Sequence, residues 1–88
     1  MAITLIQLQY FDALAEHRNF GRAAKACGIA QPTLSAQIQK LEEELQGELV
    51  DRRSQPVQLT PLGLQLLPHA QKTIQAAQSL VAVSQTFQ

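Results

Sequence analysis

The sequence predicts a mainly α fold, in which a three-helix core with a small β-wing is followed by one long helix. Apolar residues recur at helical spacing over most of the 88 residues, two short β-compatible runs lie between Leu49 and Leu59, and Phe20–Leu45 reads as two helices joined by a tight turn. A chain of this length forms one small domain with a modest core.

The first helix is expected to start after Thr4, which with Gln7 three residues on fits a capping box. Leu5, Leu8, Phe11, Leu14 and Ala15 then form an apolar stripe that runs to about His17. Asn19 is placed to cap the second helix, from Phe20 or Gly21 to Cys27. Ala24 allows a partner helix to come close, and Cys27 presents another compact side chain toward the core. Gly28 ends the helix, because glycine takes a positive φ without a Cβ clash. Ile29 plugs the corner. The third helix spans Gln31–Leu45, with Pro32 in its first turn, where a missing N–H costs nothing. Its buried face is Leu34, Ile38, Leu41 and Leu45, and Gln46 and Gly47 stop it.

Two strand-like runs follow, Leu49–Arg52 and Val57–Leu59, joined by Arg53, Ser54, Gln55 and Pro56. This is the wing, with Arg52 and Arg53 near its tip. Thr60 and Pro61 read as the cap and first residue of the last helix. Within it Leu67, Ala70, Ile74, Ala77, Val81 and Ser84 fall at alternating spacings of three and four, a heptad seam suited to pairing with a second copy of the chain. Packing of this seam within one chain is the alternative. Pro68 is expected to kink the helix, and Leu62, Leu64 and Leu66 are expected to contact the wing.

Opposite the buried stripe of the third helix lie Pro32, Ser35, Ala36 and Gln39, with Thr33 and Lys40 on the flank and Gln31 at the start. A helix that enters a DNA major groove, about 12 Å wide, needs little outward bulk and needs groups that hydrogen-bond to base edges. An ordinary solvated face is the alternative, and the turn in front of the helix weighs against it. The elements together describe a winged helix-turn-helix. An exposed hairpin with two arginines suits phosphate or minor-groove contact, and is also a common surface feature.

Seven cations and seven carboxylates leave no net charge, whereas nucleic-acid binding usually shows a basic excess. The charges are segregated, however. From Arg18 to Leu41 there is no acid, while Arg18, Arg22, Lys25 and Lys40 are basic; Glu42, Glu43, Glu44, Glu48 and Asp51 follow as an acidic block. A neutral sum is therefore compatible with a basic, phosphate-facing surface and an acidic one turned elsewhere. The N-terminus has no signal-peptide pattern and no apolar run approaches a membrane span, so a cytoplasmic location is expected. Cys27 is the only cysteine and reads as a packed thiol. No carboxylate pair, nucleophile with base, phosphate loop or metal-spaced cluster is present, and His17 and His69 are far apart, so neither an enzyme nor a bound metal is expected.

AAKACGIAQPTLSAQIQKLEEEL followed by PVQLTPLG resembles the N-terminal DNA-binding domain of LysR-type transcriptional regulators, and QPTLSAQI is similar to the peroxide-sensing, OxyR-like branch. The resemblance covers essentially the whole chain. It implies a winged helix-turn-helix over residues 1–59 and a linker helix over 60–88 that pairs two subunits, in front of an effector-binding domain absent from this chain. It also implies double-stranded DNA as partner, an imperfect palindrome of the T-N11-A type as site, a tetramer at full length, RNA polymerase as a further partner, and no cofactor in this domain. Carried over, the groove-facing positions fall on Gln31, Pro32, Thr33, Ser35 and Ala36, and the wing contacts on Arg52, Arg53 and Pro56. With Arg22, Gln39 and Lys40 these complete the candidate DNA-binding set; Leu67, Ala70, Ile74, Ala77 and Val81 form the candidate dimerisation set. Ala30 stands where the family has a capping serine, Ala36 replaces a frequent arginine, and Gln39, Gln55 and Gln58 stand at commonly basic positions. Val50 stands at an aromatic position, and the glycine after the third helix is displaced to Gly47. These departures imply fewer ionic contacts than in most relatives. A helix-turn-helix kept for protein interaction or dimerisation is the second functional reading.

Overall fold

The computed structural model describes residues 1–88. In chain order it contains α1 (Leu5–His17), α2 (Phe20–Cys27), α3 (Gln31–Leu45), β1 (Val50–Asp51), β2 (Gln58–Leu59) and α4 (Pro61–Gln85). The first three helices begin and end where the sequence places them to within a residue or two, and α4 ends at Gln85, three residues before the expected end. The strands are shorter than expected, with two residues each in an antiparallel pair that sets Val50 opposite Leu59 and Asp51 opposite Gln58.

Local chemistry accounts for the helix ends. Thr4 and Gln7 form the reciprocal capping box, Asn19 accepts from the Arg22 amide, and Gly28 closes α2 at φ 70°. Arg18 closes α1 in the same left-handed region, at φ 53°, without being glycine. At the end of α3 it is Gln46, at φ 59°, that turns left-handed, and not Gly47. Gly47 is small for another reason: a Cβ there would meet the Leu62 side chain, 2.5 Å from Cδ2.

The core joins all of these elements. Phe11, Leu14, Leu34, Ile38, Leu41, Leu49 and Val50 are its largest fully enclosed side chains. At roughly 1.5–3 kcal/mol for each large apolar side chain buried, the Leu34, Ile38 and Leu41 stripe anchors α3 against α1 and α2. Ala23 and Ala24, both buried, let α2 approach closely.

α4 departs from the sequence reading in two respects. Ala70 and Ile74, assigned to an intermolecular seam, are buried within this chain and belong to its core, because α1 lies alongside α4 and covers that side of it. A hydrogen bond from Gln71 Nε2 to Asp12 Oδ1, at 3.1 Å, adds to the same contact. Leu67 and Ala77 are half-buried and Val81 is exposed, so the proposed seam divides into a covered proximal half and an open distal half. Pro68 lies inside the helix, which continues on both sides of it. Of the three leucines expected near the wing, Leu62 covers Gly47 and Leu66 joins the core, but Leu64 is exposed to solvent.

Candidate nucleic-acid interface

The site is built on α3. Ala30 takes extended backbone angles and offers no side-chain cap, so the first turn is closed only by its carbonyl, which accepts from the Thr33 and Leu34 amides at 3.1 and 3.2 Å. Pro32 sits in that turn. Because Leu34, Ile38 and Leu41 face inward, Gln31, Pro32, Thr33, Ala36, Gln39 and Lys40 are exposed and Ser35 is half-buried. The structure brings these seven residues onto one outward surface, as the helical period requires. Gln37, not singled out from sequence, is half-buried and accepts a hydrogen bond from Gln7 Nε2 at 3.2 Å. That bond fixes α3 against α1; the amide pair lies 30 residues apart and has no sequence signature.

The start of α2 borders this surface. Asn19, Phe20, Gly21, Gln31, Gln55 and Val57 line one shallow hollow, where the beginnings of α2 and α3 meet the wing. A Cβ on Gly21 would lie 3.5 Å from Gln31 Oε1, which shows how closely the two helix starts approach. Arg22 and Lys25 on α2 are exposed.

The wing is held from two sides. The Val57 amide donates to the Arg18 carbonyl at 3.0 Å, where the left-handed turn ends α1. On the other side Glu42, expected on an acidic surface, is buried. Its carboxylate accepts from the Leu49 amide at 2.7 Å and more weakly from that of Val50 at 3.5 Å. Arg52 supplies the countercharge, with Nη2 2.9 Å from Glu42 Oε1 and its guanidinium 5.7 Å from the centre of the Phe20 ring. Arg52 is thus partly committed inside the molecule. Arg53 behaves differently: its side chain is 92% exposed and rests on Asp51 Oδ1 at 3.2 Å. The Arg53 backbone amide and then its side chain, with the Ser54 hydroxyl a lesser contributor, hold the Asp51 carboxyl below its usual pKa. Pro56 is exposed at the turn. Burial pushes the Cys27 thiol up, which keeps it neutral.

This arrangement presents a polar, sterically modest helix face flanked by Arg22 and Lys25 on one element and Arg53 on another. Residues 5–64 match the family described as bacterial regulatory helix-turn-helix proteins of the lysR family. The chain belongs to this lysR family. A hydrogen peroxide-inducible genes activator of Pectobacterium carotovorum subsp. carotovorum is 48% identical over 73 residues, covering 83% of this chain and 24% of that protein. A probable cat1 operon transcriptional activator of Acinetobacter lwoffii is 58% identical over 59 residues, 67% of this chain and 20% of that protein. The lysR-family chain thus spans a quarter or less of these relatives' length. Among solved structures, a complex of the BenM DBD with catB site 1 DNA superimposes with a TM-score of 0.92 at 40% identity, covering 96% of this chain and 94% of that one. Both peroxide-inducible and cat1 operon activators are similar to this lysR-family chain, so the similarity does not single out the peroxide branch.

Proposed function

We propose that the chain binds double-stranded DNA sequence-specifically, as the DNA-reading part of a bacterial transcriptional regulator. The exposed face of α3 carries this reading: Gln31, Thr33, Ser35 and Gln39 offer hydrogen-bonding groups from a helix whose opposite face is wholly enclosed. Its likeness to a domain solved on DNA supports the same reading. In this assignment Gln31, Pro32, Thr33, Ser35, Ala36 and Gln39 meet base edges, while Arg22, Lys40, Arg53 and Pro56 meet the backbone.

Residues 1–59 form the reading unit and 60–88 the linker that pairs two copies. Leu80, Val81 and Val83 on distal α4 remain uncovered, which supports pairing through that half of the helix. Tetramer formation, contact with RNA polymerase and response to a small-molecule or redox effector belong to the greater part of the relatives' length that this chain does not span. No helix is long and apolar enough to cross a membrane, and the relatives are named as activators of genes and operons rather than as enzymes. A protein-docking role for α3 is disfavoured because its outward face carries no large exposed apolar side chain, the usual anchor for a helix in a groove.

Fluorescence anisotropy with a duplex selected from a random pool, and with an unselected duplex of equal length, tests the reading across a salt series. With Arg22, Lys40 and Arg53 from each of two copies on phosphates, log K should fall with log salt with a slope of about −5, at roughly −0.9 per contact. Undetectable binding at low salt, or binding indifferent to salt, refutes it.

A further inference from the structure

We propose that Arg52 is a positioning residue and that Arg53 alone supplies the ionic contact of the wing. The inference rests on the DNA-binding reading above and concerns how the wing is aimed.

Glu42 stands in the last turn of α3, and its buried carboxylate receives three donors: the Leu49 and Val50 amides and the Arg52 guanidinium. Two of the three are the amides of Val50, the first residue of β1, and of Leu49 just before it, so the carboxylate ties the entry of the first wing strand to the recognition helix. Arg52 completes the junction because it also lies over Phe20, the first residue of α2. One side chain, placed directly after β1, thus touches the end of α3 and the start of α2. These are the elements whose mutual angle decides whether wing and recognition helix meet the same duplex.

The electrostatics favour the same division. Withdrawing Arg52 to a phosphate would leave the Glu42 carboxylate, 8% exposed, without its countercharge, and an unpaired buried charge is strongly unfavourable. Arg53 can leave Asp51 at little cost, since both groups are at the surface and Asp51 keeps the Arg53 amide and the Ser54 hydroxyl as donors. Over a third of the Arg52 side chain remains exposed, so it can face DNA without surrendering Glu42.

The test compares Arg52→Gln, Arg52→Lys, Arg53→Gln, Glu42→Gln and the Glu42→Gln/Arg52→Gln double variant of the 88-residue chain on the selected and unselected duplexes over the salt series. Arg53→Gln should weaken both duplexes alike and reduce the slope by about 1.8, two phosphate contacts per dimer. Arg52→Gln should leave the slope unchanged and cost about tenfold on the selected duplex, the value of a misplaced base contact, with little further loss when added to Glu42→Gln. Arg52→Lys keeps the charge but not the planar stack, and should also lose selectivity. If Arg52→Gln lowers the slope as Arg53→Gln does, equally in both Glu42 backgrounds, while Arg52→Lys binds as the parent chain does, the inference is overturned.

A DNA-free measurement stands beside these. Hydrogen exchange at the Val50 amide should quicken by about tenfold in Arg52→Gln while the Ile38 amide is unaffected, because only the local junction opens. Unchanged exchange at Val50 refutes the junction. If the parent chain binds neither duplex, the DNA-binding reading itself fails, an outcome separate from a parent that binds and an Arg52 variant that behaves as an ionic contact.

Discussion

Gly63 offers a sharp test of how the linker helix joins the wing. It lies in the first turn of α4, where its amide donates to the Thr60 hydroxyl oxygen at 3.0 Å. A Cβ at this position would collide with the Leu49 carbonyl oxygen and lie 3.1 Å from the carbonyl carbon and 3.3 Å from Cα of Leu49. That peptide segment cannot easily retreat. The same oxygen accepts from the Thr60 amide at 3.0 Å, and the Leu49 amide donates to Glu42 at 2.7 Å. In Gly63→Ala the intrinsic helix preference gains about 1 kcal/mol. Overpacking against fixed backbone costs roughly 1–3 kcal/mol, and loosening the Thr60–Leu49 bond about 1 kcal/mol more. The net is a loss of roughly 1–3 kcal/mol, which for a domain this size lowers Tm by about 5–20 °C. Far-UV circular dichroism melting gives the value directly. Gly28→Ala is the control: open space surrounds it, but its φ of 70° should cost roughly 1 kcal/mol. A Gly63→Ala chain that melts at or above the parent temperature refutes the contact between Gly63 of α4 and the Leu49 backbone as described.

Ala30→Ser should restore the missing cap of α3 and raise stability by about 1 kcal/mol, read by chemical denaturation; no gain would mean that the backbone before α3 is set wrongly for capping. Gln31→Ala and Ser35→Ala should each flatten discrimination between duplexes by about 1–3 kcal/mol at one base pair, and a loss shared equally by all sequences would remove them from the base-reading set. Leu80→Glu should yield monomers in sedimentation with an unchanged melt of the isolated fold, whereas Ile74→Glu should unfold the chain, since Ile74 is buried beside α1. Acid should loosen the wing turn late: the Asp51 pKa is depressed, so its contribution is complete above the ordinary carboxylate range and is lost as pH falls through the lowered value. Exchange at the Arg53 amide, referred to an unstructured peptide, should therefore show constant protection from pH 7 to 5.

The helices were legible because each is marked by local chemistry: the Thr4–Gln7 box, the Asn19 cap, Gly28 and the apolar period of α3 all act within a few residues. The outward face of α3 was legible for the same reason. What escaped the sequence depends on contacts between distant residues. The helical period sets Glu42, four residues after Ile38 and three before Leu45, on the inner face of α3 and turns Glu43 and Glu44 outward; what the period does not supply is the Leu49 and Val50 amides and the Arg52 guanidinium that satisfy the buried carboxylate. Arg52 and Arg53 are adjacent and chemically identical, yet one turns in to Glu42 and the other out to solvent. The stripe of α4 has the period of a helix with a partner, and period alone does not say whether the partner is α1 of the same chain or another copy. Its proximal half answers one way and its distal half remains open.

The neutral net charge becomes intelligible once individual pairs are placed. Two of the seven cations, Arg52 and Arg53, are matched by Glu42 and Asp51 of the same chain, and Glu42 is internal. Around α3 this leaves Arg22, Lys25 and Lys40 without an ionic partner on a stretch of sequence free of acids. With three phosphate contacts per copy, from Arg22, Lys40 and Arg53, a single copy gains little from counterion release, so its binding to arbitrary DNA should be weak at physiological salt. Discrimination is the ratio of specific to non-specific binding, and the base-edge contacts proposed for Gln31, Thr33 and Ser35 would then decide a larger share of it. Because each copy brings so little ionic attraction, occupancy of a site should rise steeply when two copies are held together, as proposed for α4. In the proposed pairing, the exposed distal half of α4 therefore matters to recognition alongside the helix assigned to the bases.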